Sequence, residues 1–172
     1  MIILITGGVK SGKSTHALDL AIKEWKPSPN KPISFIATAE ALDNEMKLRI
    51  AKHQEERTRL AGAGSFITRE ETIELDKAII AAGQRAVVDC IPMWINNLIY
   101  YKREDDFRTI LDAFIKGIKD CIIVTNETGL GNIPFDEMTR HYNLLLAEAN
   151  RKIAMAADSV LFMVSGIPMK VK

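Results

Sequence analysis

Cysteine is scarce: Cys90 and Cys121 are the only two in 172 residues. That is too few for the disulfide framework that staples a small secreted fold. Each lies in an apolar run of strand character, where a thiol packs like a small hydrophobe, so a reducing, cytoplasmic compartment is expected. An excess of charge of one sign is also lacking. The formal balance of +1 excludes a general nucleic-acid or membrane-surface binder and leaves room for a local basic pocket. No stripe of basic and aromatic residues is present of the kind that tracks nucleic acid. No apolar run approaches the roughly 18 residues of a membrane span. The apolar start, Met1 to Ile5, stops at Thr6-Gly7-Gly8 and is shorter than a secretory apolar region. No repeat, low-complexity tract or shift of composition divides the chain, so residues 1–172 are expected to form a single domain.

What is present is an alternation. Short apolar runs read as buried strands at Ile2–Ile5, Ile33–Ala37, Ala86–Cys90, Cys121–Thr125 and Val160–Val164, with a shorter one at Phe66–Thr68. Between them lie helical patterns: the stretch bearing Leu18, Ala21, Ile22 and Trp25, then Leu42 to about Arg59, Thr72–Ala82, Trp94–Tyr101, Phe107–Lys116 and Glu137–Ala157. Pro27, Pro29 and Pro32 bracket one loop, Ala61 to Ser65 forms another, and Asn126–Pro134 is a third. Continuous apolar strands separated by helices predict an α/β fold, a mostly parallel sheet covered on both faces.

The first strand runs into Gly7-Gly8-Val9-Lys10-Ser11-Gly12-Lys13-Ser14, and a helix follows. This is G-x4-G-K-[ST] in its proper context, the phosphate cradle of a P-loop. Glycines let backbone N–H groups turn toward a phosphate, and the helix N-terminus adds a favourable dipole. Lys13 is expected on the β- and γ-phosphates of ATP or GTP, and the Ser14 hydroxyl on Mg²⁺. Such a site needs an acid on a neighbouring strand. Asp89 ends Ala86-Val87-Val88, at the strand end where open α/β sheets bind ligands.

The helix from Leu42 carries Glu45, Arg49, His53 and Arg57 at a spacing of four, on one face. Leu42, Met46 and Ile50 recur on another face, suited to pack on the sheet. By pattern alone a solvated charged face is the simpler reading. The alternative is an imidazole between two guanidiniums, a nucleophile toward phosphorus flanked by phosphate binders. On that alternative His53 turns outward toward the nucleotide, and both arginines favour its neutral form. His16 and His141 are weaker candidates.

Together these residues resemble the bifunctional adenosylcobinamide kinase/adenosylcobinamide-phosphate guanylyltransferase family of cobalamin synthesis. The opening Ile5 to Ser14 is similar to that family's T-G-G-x-[RK]-S-G-K-S. Ile36-Ala37-Thr38-Ala39, Asp43-x-Glu45-Met46 and Arg49-Ile50-x-x-His53 look like its second block. Val88-Asp89-Cys90-Ile91 with Trp94 and Asn97-Leu98 resembles the third, and Thr125-Asn126-Glu127-Thr128-Gly129-x-Gly131-x-Ile133-Pro134 the fourth. Asn150, Ala157-Asp158 and Ser165-Gly166-x-Pro168 complete it. This chain departs from the pattern at Arg57-Thr58-Arg59, which lacks a proline, at the inserted Gly62-Ala63-Gly64, at Pro92 and at His141-Tyr142-Asn143.

The resemblance implies a RecA-like P-loop fold and two reactions. A nucleoside triphosphate, ATP or GTP, phosphorylates the aminopropanol hydroxyl of adenosylcobinamide. GTP then guanylylates a histidine, which maps to His53, and GMP passes to the cobinamide phosphate to give adenosylcobinamide-GDP. The implied nucleotide contacts are the cradle through Thr15, then Ala37, Thr38, Ala39, Gln54, Glu55, Glu56, Arg57, Glu70 and Asp89. Lys13, Asp89 and His53 are the catalytic set, and Ser14 with Asp89 the metal set. A homo-oligomer such as a trimer is implied as well. The rival is a P-loop small-molecule kinase of another pathway, which would have no use for His53. A guanine-selective switch usually carries N-K-x-D, whereas here Glu127 follows Asn126.

Overall fold

A computed structural model describes residues 1–41 and 44–172, apart from the side chains of Glu45 and Arg49. The strands are β1 (Ile2–Gly7), β2 (Ile33–Ala37), β3 (Phe66–Glu70), β4 (Arg85–Asp89), β5 (Asp120–Val124), β6 (Ser159–Val164) and β7 (Ile167–Lys170). The helices are α1 (Lys13–Trp25), α2 (Asn44–Ala61), α3 (Leu75–Ala82), α4 (Ile91–Tyr100), α5 (Phe107–Gly117) and α6 (Glu137–Ala156). All strands join one sheet in the order β3-β2-β4-β5-β1-β6-β7. Every pairing is parallel except β6 with β7.

Side chains of the central strands alternate between two cores, as the period of a strand demands. Leu4, Ile36, Val88 and Ile123 face a core built with α3, α4, α5 and α6. Ile5, Phe35, Val87 and Ile122 face a second core with Ala17, Leu18, Ala21 and Trp25 of α1. Both faces of β1, β4 and β5 are therefore dry, which explains their unbroken apolar sequence.

Two differences from the expected elements have local causes. Helix α4 begins at Ile91 rather than near Trp94, because Pro92 sits in its first turn, where a missing N–H costs nothing. Strand β7 was not anticipated. It follows a two-residue turn in which Ser165 and Gly166 both have positive φ, 51° and 86°, the backbone of a tight hairpin turn. Its pairing places Met163 opposite Pro168, next but one to the turn. Pro168 thus removes an outward donor from this sheet edge.

The parallel order brings every cradle-side loop to one rim. Strand β5 lies between β1 and β4, so its C-terminal end stands between the cradle and Asp89.

Candidate active site

The cradle is bent by three residues of positive φ: Gly7 at 147°, Lys10 at 55° and Gly12 at 88°. A methyl group on Gly7 would lie 2.5 Å from the Met163 carbonyl oxygen, and one on Gly12 would lie 3.4 Å from Gly166 Cα. The Gly166 N–H donates to the Ser11 carbonyl at 3.1 Å. The β6–β7 turn is thus part of the cradle wall, which gives the unforeseen hairpin a purpose.

Lys13, 7% exposed, folds back over the loop. Its Nζ donates to the Gly8 carbonyl and to Ser11 Oγ. Burial lowers the Lys13 pKa, opposed by the nearby Cys90 and Asp89. The helix beginning at Lys13 then places Ser14, whose Oγ donates to Asp89 Oδ1 at 3.2 Å. The candidates from the first turn of α1 and the end of β4 are therefore in direct contact although 75 residues separate them.

The other oxygen of Asp89 faces α2. Asp89 Oδ2 lies 3.8 Å from His53 Nδ1. His53 is on the inner stripe of α2 with Ile50, Arg57 and Leu60, at spacings of three and four. Ile50 was expected on a different face from His53, and this is corrected: both lie on one stripe, with His53 turned to Asp89. The stripe that docks is partly polar, so its hydrophobic pattern did not reveal it. The expected docking of Leu42, and the placement of Asp43, lie outside the described residues, as do the side chains of Glu45 and Arg49.

Arg57 is corrected too. It is 6% exposed, with its guanidinium 3.9 Å from the centroid of the Phe35 ring and Nη2 donating to Thr68 Oγ1 at 3.0 Å. Burial lowers its pKa, with Asp89 opposing. It braces α2 against β2 and β3 instead of flanking His53 as a solvated cation. Two further candidates engage each other: Thr15 Oγ1 donates to Glu56 Oε1 at 3.2 Å, tying α1 to α2. Gln54 and Glu55 are exposed on α2, and Glu70 is exposed at the end of β3. A cavity of about 230 Å³ opens beside α2, lined by Gln54, Arg57, Thr58, Phe66, Thr68 and the backbone of Gly62 and Gly64.

Between β2 and β4, Thr38 is fully buried and locks the rim. Its N–H donates to the Asp89 carbonyl at 3.1 Å, and its Oγ1 both donates to the Cys90 carbonyl at 2.6 Å and accepts the Cys90 N–H at 2.9 Å. Asn97 of α4 donates to the carbonyls of Thr38 and Thr72, at 2.7 and 3.1 Å. Ala37 and Ala39 flank this lock and are half-buried. Beyond β5, the Glu127 N–H donates to the Gly7 carbonyl at 3.1 Å. Asn150 holds the same loop by accepting from Thr125 Oγ1 and donating to the Asn126 carbonyl. Sequence reasoning had noted Asn97, Asn126, Glu127 and Asn150 only within motifs. The side chains of Asn97 and Asn150 pin the loops that end β2, β4 and β5, and Asn126 and Glu127 are held there through their backbone. For Asn97, which is buried, the signal was a polar amide among the apolar residues of α4, since a buried amide must find hydrogen-bond partners.

His16 and His141 stand elsewhere on their helices and have no pairing with Asp89. Among the described residues, no helix is long and apolar enough to cross a membrane.

The family model for cobinamide kinase / cobinamide phosphate guanyltransferase matches residues 3–171. The bifunctional adenosylcobalamin biosynthesis protein CobP of Pseudomonas aeruginosa is 35% identical over 98% of this chain and 96% of its own. The bifunctional adenosylcobalamin biosynthesis proteins CobU of Escherichia coli and Salmonella typhimurium are each 30% identical over the whole of both chains. Among solved structures, the flagellar accessory protein FlaH of Methanocaldococcus jannaschii superposes with a TM-score of 0.52 at 13% identity, over 99% of this chain and 77% of that one. A KaiC-like protein of Pyrococcus horikoshii gives 0.51 at 19% identity, over 94% and 69%. These two likenesses concern the fold alone, that of a P-loop NTPase.

Proposed function

The chain belongs to the cobinamide kinase / cobinamide phosphate guanyltransferase family, and we propose that its two reactions share the rim where the cradle, Asp89 and His53 meet. The protein is an enzyme of cobalamin biosynthesis. It phosphorylates adenosylcobinamide with a nucleoside triphosphate and then joins GMP from GTP to the phosphate, giving adenosylcobinamide-GDP. The rival reading, a small-molecule kinase of another pathway without nucleotidyl transfer, is set aside by the family.

The residues divide the work as follows. Backbone N–H groups of the cradle and the α1 N-terminus bind the triphosphate, with Lys13 moving from the Gly8 carbonyl to the β- and γ-phosphates. A buried cation with flexible reach suits that charge. In the first reaction the corrinoid hydroxyl is the acceptor, and no protein nucleophile is needed. In the second, His53 attacks the α-phosphorus of GTP and carries GMP to the corrinoid phosphate. The hydroxyl of Ser14 beside the carboxylate of Asp89 is a hard oxygen pair that fits Mg²⁺, an ion held by few protein groups and several phosphate or water oxygens. When bound, Mg²⁺ neutralises charge developing on the phosphates.

The base of the nucleotide is assigned to the cavity beside α2. There Gln54 offers an amide edge, and Phe66 and Arg57 offer flat faces. Arg57, Thr58, Gly62 and Gly64 line that cavity, so the departures from the family pattern in that stretch fall where the base is read, whereas those at Pro92 and His141-Tyr142-Asn143 lie in α4 and α6. Residues 1–172 act as one nucleotide-binding domain, cytoplasmic, assembled as a homo-oligomer such as a trimer.

The observation that supports this reading is the contact of His53 with an acid that also contacts Ser14. The test is intact mass after incubation with GTP and Mg²⁺. A gain of one GMP that is lost in acid is expected. An unmodified protein that still phosphorylates adenosylcobinamide would refute the covalent step.

A further inference from the structure

We infer that Asp89 is also the positioning residue of the nucleophile: its Oδ2 holds the Nδ1 edge of His53, so that GMP is carried on Nε2. This rests on the reading of His53 as the GMP carrier and adds to it which nitrogen reacts and what aims it.

Three observations carry the inference. First, the two oxygens of Asp89 face different partners. Oδ1 accepts from Ser14 Oγ at 3.2 Å, and Oδ2 faces His53 Nδ1 at 3.8 Å. Second, Asp89 is held in place. Its strand is paired on both sides, with Ala37 and Val124 as neighbours, its carbonyl accepts the Thr38 N–H, and its side chain is only 13% exposed. Third, the rotation of α2 is set by the residues just after His53. Glu56 is tied to Thr15 and Arg57 lies on Phe35. Together they keep one edge of the imidazole toward the sheet and leave the rest of the ring, 35% exposed, toward the rim.

The chemistry follows from the two ring nitrogens being distinct. Neutral histidine in water prefers the proton on Nε2, which would block that nitrogen as a nucleophile. A carboxylate at Nδ1 reverses the preference by accepting an Nδ1–H bond, and the partner of one nitrogen thereby decides what the other can do. A closure of under about 1 Å brings 3.8 Å within hydrogen-bond range. The Nε2 lone pair then forms the N–P bond to the α-phosphorus of GTP. The bond from that phosphorus to the bridging oxygen breaks, and its electron pair leaves with pyrophosphate. The imidazole, substituted on Nε2 and protonated on Nδ1, is cationic and faces the Asp89 carboxylate. In the second half an oxygen of the corrinoid phosphate attacks the same phosphorus. The N–P pair returns to Nε2, and the neutral Nδ1–H ring is regenerated.

Asp89 therefore acts in two separable ways. Its contact with Ser14 serves both reactions, whereas its contact with His53 serves only guanylyl transfer. The test uses the full chain labelled with ¹⁵N-histidine. Before GTP is added, ¹⁵N spectra of neutral His53 are expected to show the proton on Nδ1, and Asp89→Asn to shift it toward Nε2. After GTP and Mg²⁺, phosphorus–nitrogen correlation is expected to place GMP on Nε2. GMP on Nδ1 overturns the inference and leaves the carrier reading intact, whereas GMP absent from His53 overturns the carrier reading itself. In steady-state assays Asp89→Asn is expected to slow guanylyl transfer at least tenfold more than it slows phosphorylation. Ser14→Ala is expected to slow the two alike. Equal slowing of both reactions by Asp89→Asn overturns the positioning role. Should that variant fail to fold, the tautomer and linkage spectra of the wild type decide alone.

Discussion

The guanidinium of Arg57 lies 3.9 Å from the centroid of the Phe35 ring, buried between α2 and the sheet. A desolvated cation over an aromatic face is worth about 2 kcal/mol, and the bond to Thr68 adds about 1 kcal/mol. Arg57→Ala is therefore expected to destabilise the protein by about 2–3 kcal/mol, measured by urea unfolding. Arg57→Lys should lose less, since it keeps the charge but not the planar fork. An alanine variant of unchanged stability with undiminished GTP affinity would mean that the stacked arrangement does not persist in solution.

Lys13→Ala should abolish tight triphosphate binding while leaving the fold intact, because Lys13 sits at the rim with its partners in the cradle itself. Calorimetric titration with GTP checks this. An affinity within about threefold of wild type would remove Lys13 from the phosphate site.

Gly7→Ala is expected to damage the cradle through shape alone. The added methyl would meet the Met163 carbonyl at 2.5 Å, at a φ of 147° that side chains avoid. The expected cost is about 2 kcal/mol or more, together with weakened GTP binding. Gly8→Ala, where a methyl meets nothing within 4 Å, serves as the comparison, and equal stability of the two variants would contradict the packing argument.

His53→Ala should separate the two activities. Phosphorylation of adenosylcobinamide needs the cradle and no protein nucleophile, so it is expected to continue near the wild-type rate. Formation of adenosylcobinamide-GDP is expected to fall by more than about 10³-fold. Peptide mapping after GTP treatment of the wild type should find GMP on the peptide that contains His53. Modification at His16 or His141 would reassign the carrier.

Much of this site was legible because its parts are local. The cradle is a run of eight residues whose glycines and lysine must be adjacent in sequence to bend around a phosphate, so Gly7 to Ser14 announce it. The apolar runs of β1, β4 and β5 announce strands dry on both faces, and Asp89 announces itself by closing one of them. The motif bearing His53 marked that residue within a longer resemblance. That Ile50 shares its face was not legible, because the inner stripe of α2 mixes Ile50 and Leu60 with His53 and Arg57.

The sequence by itself determined the phosphate cradle, the alternation of strands and helices, and the family's set of reactive side chains, because each depends on neighbours along the chain. Tertiary structure decided the rest. Inserting β5 between β1 and β4 set the distance across the rim. Tying Glu56 to Thr15 and laying Arg57 on Phe35 set the rotation of α2, and with it the encounter of His53 with Asp89. The β6–β7 hairpin closed the cradle from behind through Gly166 and Met163. These are contacts between residues far apart in the chain. Their energy comes from burying and pairing groups that no local pattern brings together, and for that reason they appear only once the sheet is assembled.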